Sequence, residues 1–211
     1  MESLIMKKPV LLGAFAALFA ACATEQPAPT AATEVVVPLF ANGGNQDRNL
    51  GTHLNGGGEV FTPANPGDPT PADSHGQGQA IFRISADGSS VDFKLIASNI
   101  DNIIMAHIHC GHPDQNGPIR MWLYPVIGPT GAPGPNGTGR HDGILAEGTF
   151  SPTGVVCPAS AVGVDMPLLD AIRAGLTYVN VHTNDGVDGT NTGPGDFPGG
   201  EIRGQLIPPG S

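Results

Sequence analysis

The stretch "GQAIFRISADGSSVDFKLIAS", residues 78–98, alternates apolar and polar side chains on either side of an Asp-Gly pair. Ala80, Phe82 and Ile84 fall on one face, with Ile81, Arg83 and Ser85 on the other. After the turn, Val91, Phe93, Leu95 and Ala97 share a face opposite Asp92, Lys94 and Ser98. Period two marks a strand with one buried face, and Asp87-Gly88 tolerates the positive φ that a tight hairpin requires. The stretch therefore reads as an antiparallel hairpin with an apolar inner face.

Outward from this hairpin, strands are expected at 103–109, 119–124, 144–150, 176–183 and 201–207. The chain holds 31 Gly and 21 Pro, a proportion that would suggest disorder if they were evenly spread. They cluster instead between the alternating runs, as loop residues do. "GPTGAPGPNGTG", residues 128–139, repeats glycine at every third position, but collagen needs that repeat over far greater lengths, so it reads as a loop. "DMPLLDAIRAG", residues 165–175, reads as a helix with Asp165 as its cap, a proline in its first turn and Gly175 as its stop. The class is all-β: an antiparallel sandwich or barrel with long Gly/Pro-rich loops and one short helix.

The N-terminus points to export. "MKKPVLLGAFAALFAAC" begins at Met6 with two lysines, runs through an apolar segment and meets small residues before Cys22, which reads as a signal sequence over 1–21. Its apolar run is well short of the ~20 residues of a membrane-spanning helix. Phe19-Ala20-Ala21-Cys22 resembles a bacterial lipobox, with phenylalanine where leucine is usual, so Cys22 is expected to carry lipid. An ordinary cleavage near Ala21 or Ala23 is the alternative. Residues 22–48, rich in Ala, Pro and Thr, read as a flexible tether. The remainder, 49–209, is the size of one domain with one core.

Of three cysteines, setting aside Cys22 leaves Cys110 and Cys157 to pair in an oxidising compartment, or to stay as thiols, one of them a ligand. The net charge is −10, and loss of the signal with its two lysines leaves Lys94 as the last lysine. That balance excludes nucleic acid and suits cations or basic partners. No nucleophile–base pairing or phosphate loop is apparent, so no enzyme is expected.

The remaining chemistry lies in histidines. "MAHIHCGHPDQNGPI", residues 105–119, holds three of the chain's seven. Alternation puts His107 and His109 on the face away from Ala106 and Ile108, and Tyr178, Asn180 and His182 opposite Val179, Val181 and Thr183, so the histidines stand together on the polar side or in a pocket at a strand end. Two histidines at i and i+2 stand ~6.6 Å apart along a strand, so both rings can converge on one ion. With His182 they make a site for copper or zinc at the polar edge of the sheet, with His112 as a fourth ligand. The alternative is that all three hydrogen-bond strand ends and loop carbonyls. His53, His75 and His141 read as loop residues. Glu201 and Arg203 share one strand face and are expected as an ion pair or as support for a loop. "NDGVDGTNTGPGD", residues 184–196, has calcium-type oxygens, but Gly186 sits where a ligand is needed, so it reads as a solvated loop.

The ordered landmarks "LNGGGEV" (54–60), "GQAIFRIS", "AHIHCG" (106–111), "NGPI" (116–119), "AGLTYVNVHT" (174–183) and "GGEIRGQL" (199–206) resemble the CHRD domain, common in bacterial exported proteins. The family implies a fold and a compartment more readily than an activity. The resemblance, taken with the N-terminus and the histidines, implies a non-enzymatic binding or structural module, lipid-anchored in the bacterial cell envelope, with an extracytoplasmic protein partner and a bound copper or zinc ion. Two departures stand out: the long 62–77 segment, which adds His75, and "HPDQNG", which adds His112. The His-x-His strand, the late histidine and the disulfide are also partly similar to copper-zinc superoxide dismutase, so the fold expectation is superoxide dismutase-like or immunoglobulin-like. The second functional reading is a metalloenzyme on such a barrel.

Overall fold

The computed structural model describes residues 48–125, 139–187 and 192–208. The signal sequence at 1–21, Cys22, the tether up to residue 47 and residues 126–138, which hold all of the glycine-repeat loop but Gly139, lie outside the described residues.

The sequence hairpin forms β2 (Gln77–Ile84) and β3 (Val91–Asp101), in the register Ala80↔Leu95, Phe82↔Phe93 and Ile84↔Val91. All six of these side chains are buried, so the apolar faces meet as the alternation requires. In the turn the Ser85 N–H donates to the Ser90 carbonyl and only Gly88 takes positive φ, +72°. Asp87 has a different role: its carboxylate accepts the Ser85 hydroxyl and the Ser89 N–H and hydroxyl, which hold it down at about 2.

Around the hairpin stand β1 (Asn49–Asn55), β4 (Ile103–Cys110), β5 (Ile119–Tyr124), β6 (Arg140–Phe150), β9 (Thr177–Thr183) and β10 (Ile202–Gln205). All pairings are antiparallel and the order is β5-β4-β9-β10-β1-β2-β3-β6. The end strands β5 and β6 approach each other, so the sheet curls nearly into a barrel around a core that includes Leu54, Phe82, Leu95, Ile108, Val181 and Ile202. β1 is a strand that the alternation does not announce: its inner positions read Leu50, Thr52, Leu54, and the threonine interrupts the apolar series.

Two short helices form where one was expected. α1 (Ala159–Val162) and α2 (Leu168–Arg173) flank a small pair of strands, β7 (Val156–Cys157) and β8 (Met166–Pro167). Asp165 does not cap α2; Pro167 stands there, and the Asp165 carboxylate accepts the Ala159 N–H at the start of α1 (2.7 Å). At the far end of α2 the Gly175 and Leu176 N–H groups return to the Ile172 and Ala171 carbonyls, the paired closure that satisfies a helix C-terminus. A disulfide joins Cys110 to Cys157, tying the end of β4 to β7.

Candidate metal centre

β4 and β9 are neighbours with Met105 opposite His182, His107 opposite Asn180 and His109 opposite Tyr178. Ala106, Ile108, Val179 and Val181 face the core, so the histidines occupy the outer face, as alternation requires. That face is not an exposed polar edge. His107, His109 and His182 are 0, 7 and 5% exposed, because loops fold back over them. Segment 111–118 and the stretch leading to Glu201 both contribute carbonyls to the rings, and Trp122 of β5 packs edge-on against His107 with centroids 4.2 Å apart.

These loop carbonyls set the tautomers. His109 Nδ1–H donates to the Gly117 carbonyl (2.8 Å) and His182 Nδ1–H donates to the Pro198 carbonyl (2.9 Å), since a carbonyl only accepts. The Nε2 of each of these two rings therefore carries a lone pair. The Nε2 of His182 accepts the Nδ1–H of His107 (3.2 Å), and the Nε2 atoms of His107 and His109 are buried without a hydrogen-bond partner among the described residues. One nitrogen from each ring lies within 4.8 Å of the other two. Two nitrogens bound tetrahedrally to one ion at about 2.0 Å stand about 3.3 Å apart, close to the His107–His182 spacing. A pair at the 4.8 Å limit must close by roughly 1.5 Å to reach that spacing.

The electrostatics favour neutral ligands. Burial, reinforced by His182 and His109, brings His107 down to about 3. Burial brings His109 to about 4 against the Gly117 carbonyl, with Arg203 adding to the fall. Burial and His109 bring His182 to about 4 against the Pro198 carbonyl. At neutral pH all three rings are neutral, the charge state that coordinates. The cluster can hold a metal ion.

Beside it, Tyr178 stacks on His109 with centroids 4.8 Å apart and planes at 12°, and the Arg203 guanidinium lies 3.4 Å from the centre of the Tyr178 ring. Arg203 also donates to the Asn116 side chain (3.1 Å) and to the His112 and Gln115 carbonyls (2.9 and 3.0 Å), pinning the loop that supplies the Gly117 carbonyl. The profile of the CHRD domain matches residues 50–206. The chain belongs to the CHRD family. No curated protein and no solved structure matches this CHRD chain.

Several expectations about the CHRD domain are corrected. His112 is not a fourth member of the group: its backbone carbonyl is held by Arg203, and among the described residues only three histidines converge. Of the two roles expected for Glu201 and Arg203, they form no ion pair with each other but do support loops. Their side chains go to separate partners: Glu201, just before β10, takes the Ser74 and Thr183 hydroxyls and the Gly195 N–H. His53 and His141 lie on β1 and β6, where His53 Nδ1 donates to the Gly78 carbonyl (2.7 Å), while His75 is in a loop. Of the calcium-type segment 184–196, the described part is tied by hydrogen bonds, with Asp196 accepting the Thr192 N–H and hydroxyl and Asn102 donating to the Gly195 carbonyl. Residues 188–191 lie outside the described residues. Sequence reasoning missed Trp122 and Tyr178 as neighbours of the site. The only signal was parity, which put Tyr178 on the histidine face without showing what it touches.

Proposed function

We propose that this CHRD domain is a non-enzymatic, metal-holding module of the bacterial cell envelope, carried outside the cytoplasm on a lipidated Cys22. The observation that carries the metal reading is the His109 Nε2: a lone pair fixed by the Gly117 carbonyl, buried without a partner and aimed among two further ring nitrogens. An unpaired buried polar atom costs about 1–3 kcal/mol, which an ion would offset. Imidazole donors suit copper and zinc, whereas calcium requires oxygen ligands. His109 and His182 would bind through Nε2, and His107 through Nδ1 once that proton has moved to the ring's other nitrogen.

A metalloenzyme on the same barrel is the second reading. It requires a coordination position open to substrate, and the near-complete burial of the three rings favours the first reading instead. An extracytoplasmic protein partner would meet the acidic surface, and nucleic acid would be repelled by it. Metal analysis of the purified domain tests the proposal. About one equivalent of copper or zinc per chain is expected, absent from a His107→Ala/His109→Ala/His182→Ala variant. No metal, or equal metal in both proteins, overturns it.

A further inference from the structure

Between Tyr178 and His182 the outer face of β9 carries a third polar side chain, Asn180, itself buried. It stands opposite His107 on one side and opposite Arg203 on the other. Its Nδ2 donates to Glu59 Oε2 (3.4 Å), just past the turn that follows β1. Glu59 is partly exposed as a residue, yet its Oε1 is fully buried and, like Asn180 Oδ1, has no hydrogen-bond partner among the described residues. Gly200 closes over both groups. A Cβ there would stand 2.5 Å from Asn180 Nδ2 and 2.7 Å from Glu59 Oε1, so a side chain would displace them.

Three neutral imidazoles bring no negative charge to a buried ion, and Arg203 already places a positive one nearby. A divalent ion in such a region needs a counter-charge. We propose that Glu59 is the counter-charge of the three-histidine site: its carboxyl, joined to the histidine face through Asn180, ionises when a divalent ion binds and sets the preference for divalent over monovalent metal. This rests on the metal reading above. The step balances simply: the carboxyl O–H bond breaks, the proton leaves to solvent, and the electron pair stays on the carboxylate.

Glu59 suits the role because burial raises it to about 8, against the pull of Arg203 and the Asn180 hydrogen bond and with a smaller push from Glu201. At pH 7 the protein without metal keeps that proton. The groups facing it are Arg203 of β10, Tyr178 and Asn180 of β9, and Glu201 just before β10. Glu201 cannot serve instead, since its oxygens are engaged by Ser74, Thr183 and Gly195.

The test is calorimetric titration of zinc at pH 7 in two buffers of different ionisation enthalpy, which counts protons released per ion. The three histidines are already neutral there, so about one proton should leave the unaltered protein and almost none the Glu59→Gln variant. That variant should bind zinc about 10-fold or more weakly. Its affinity for copper(I), measured anaerobically by competition with a bathocuproine chelator, should change by less than about threefold. Equal losses for both ions, or equal proton release from both proteins, overturn the proposal alone. Absence of binding by the unaltered protein overturns the metal reading as well. If Glu59→Gln does not fold, the proton count of the unaltered protein decides: no release overturns the proposal.

Discussion

His109 and Gly117 are locked to each other: the glycine carbonyl takes the Nδ1–H of the ring at 2.8 Å, while the glycine N–H donates to the hydroxyl of Tyr178, the residue stacked on that ring. Eight residues apart, they join a strand to the loop that covers it. Gly117 can do this because its Cα lies against the Cys110 backbone, where a Cβ would overlap the Cys110 carbonyl.

Gly117→Ala should therefore push the loop outward and free the His109 ring. Overpacking of this kind costs about 1–3 kcal/mol, read by urea unfolding. Metal affinity should fall in parallel. An unchanged midpoint would mean that the loop is not seated on β4 as described.

The disulfide acts at the same point of the chain. Cys110 and Cys157 are 47 residues apart in sequence, and the chain-entropy model gives about 4 kcal/mol for closing a loop of that length. A Cys110→Ser/Cys157→Ser variant should lose stability on that order. Two reactive thiols in the unfolded, unreduced parent would show that no bridge forms.

Stability should pass through a maximum near neutral pH. The histidines stay neutral in the folded protein down to about 3 or 4, but in the unfolded chain they take up protons below about 6.5. The unfolded state thus binds more protons there, and stability falls with acid by up to about 1.4 kcal/mol per pH unit for each ring. Glu59 acts oppositely: its folded value of about 8 exceeds its unfolded one, so its contribution is lost as pH rises from about 4.5 to 8. Denaturant midpoints across pH 4–9 check both signs. A flat profile would contradict the burial of these groups.

At the N-terminus, Cys22→Ser should release the protein from the membrane fraction or stall its processing. Unchanged mass and partition would contradict lipidation.

The parts legible in sequence are those governed by side-chain parity. The inner and outer faces of β2, β3, β4 and β9 follow directly from the alternation of Phe82, Leu95, Ile108 and Val181 with polar residues. What parity cannot show is a cover. Parity leaves His107 and His109 on a polar side or in a strand-end pocket without choosing, because the groups that bury them, Gly117, Pro198 and Trp122, come from loops and a neighbouring strand whose return no local pattern records. Glu59 was illegible for the same reason: it ends a glycine-rich turn, and its partner Asn180 is 121 residues away. Glu201 and Arg203 were placed on one face correctly, yet each is satisfied by a distant loop rather than by its neighbour.

Whether His107, His109 and His182 act together as one metal site can be read from titration of copper(II) into the metal-stripped domain. The signal is the chain's single tryptophan, Trp122, whose ring lies 4.2 Å from that of His107. Its fluorescence should be quenched with saturation at about one ion per chain, more tightly for copper than for zinc, without response to calcium, and with loss of the effect in His109→Ala. No saturable quenching in the parent, or the same curve in His109→Ala, would contradict a shared site and leave the three histidines as structural residues.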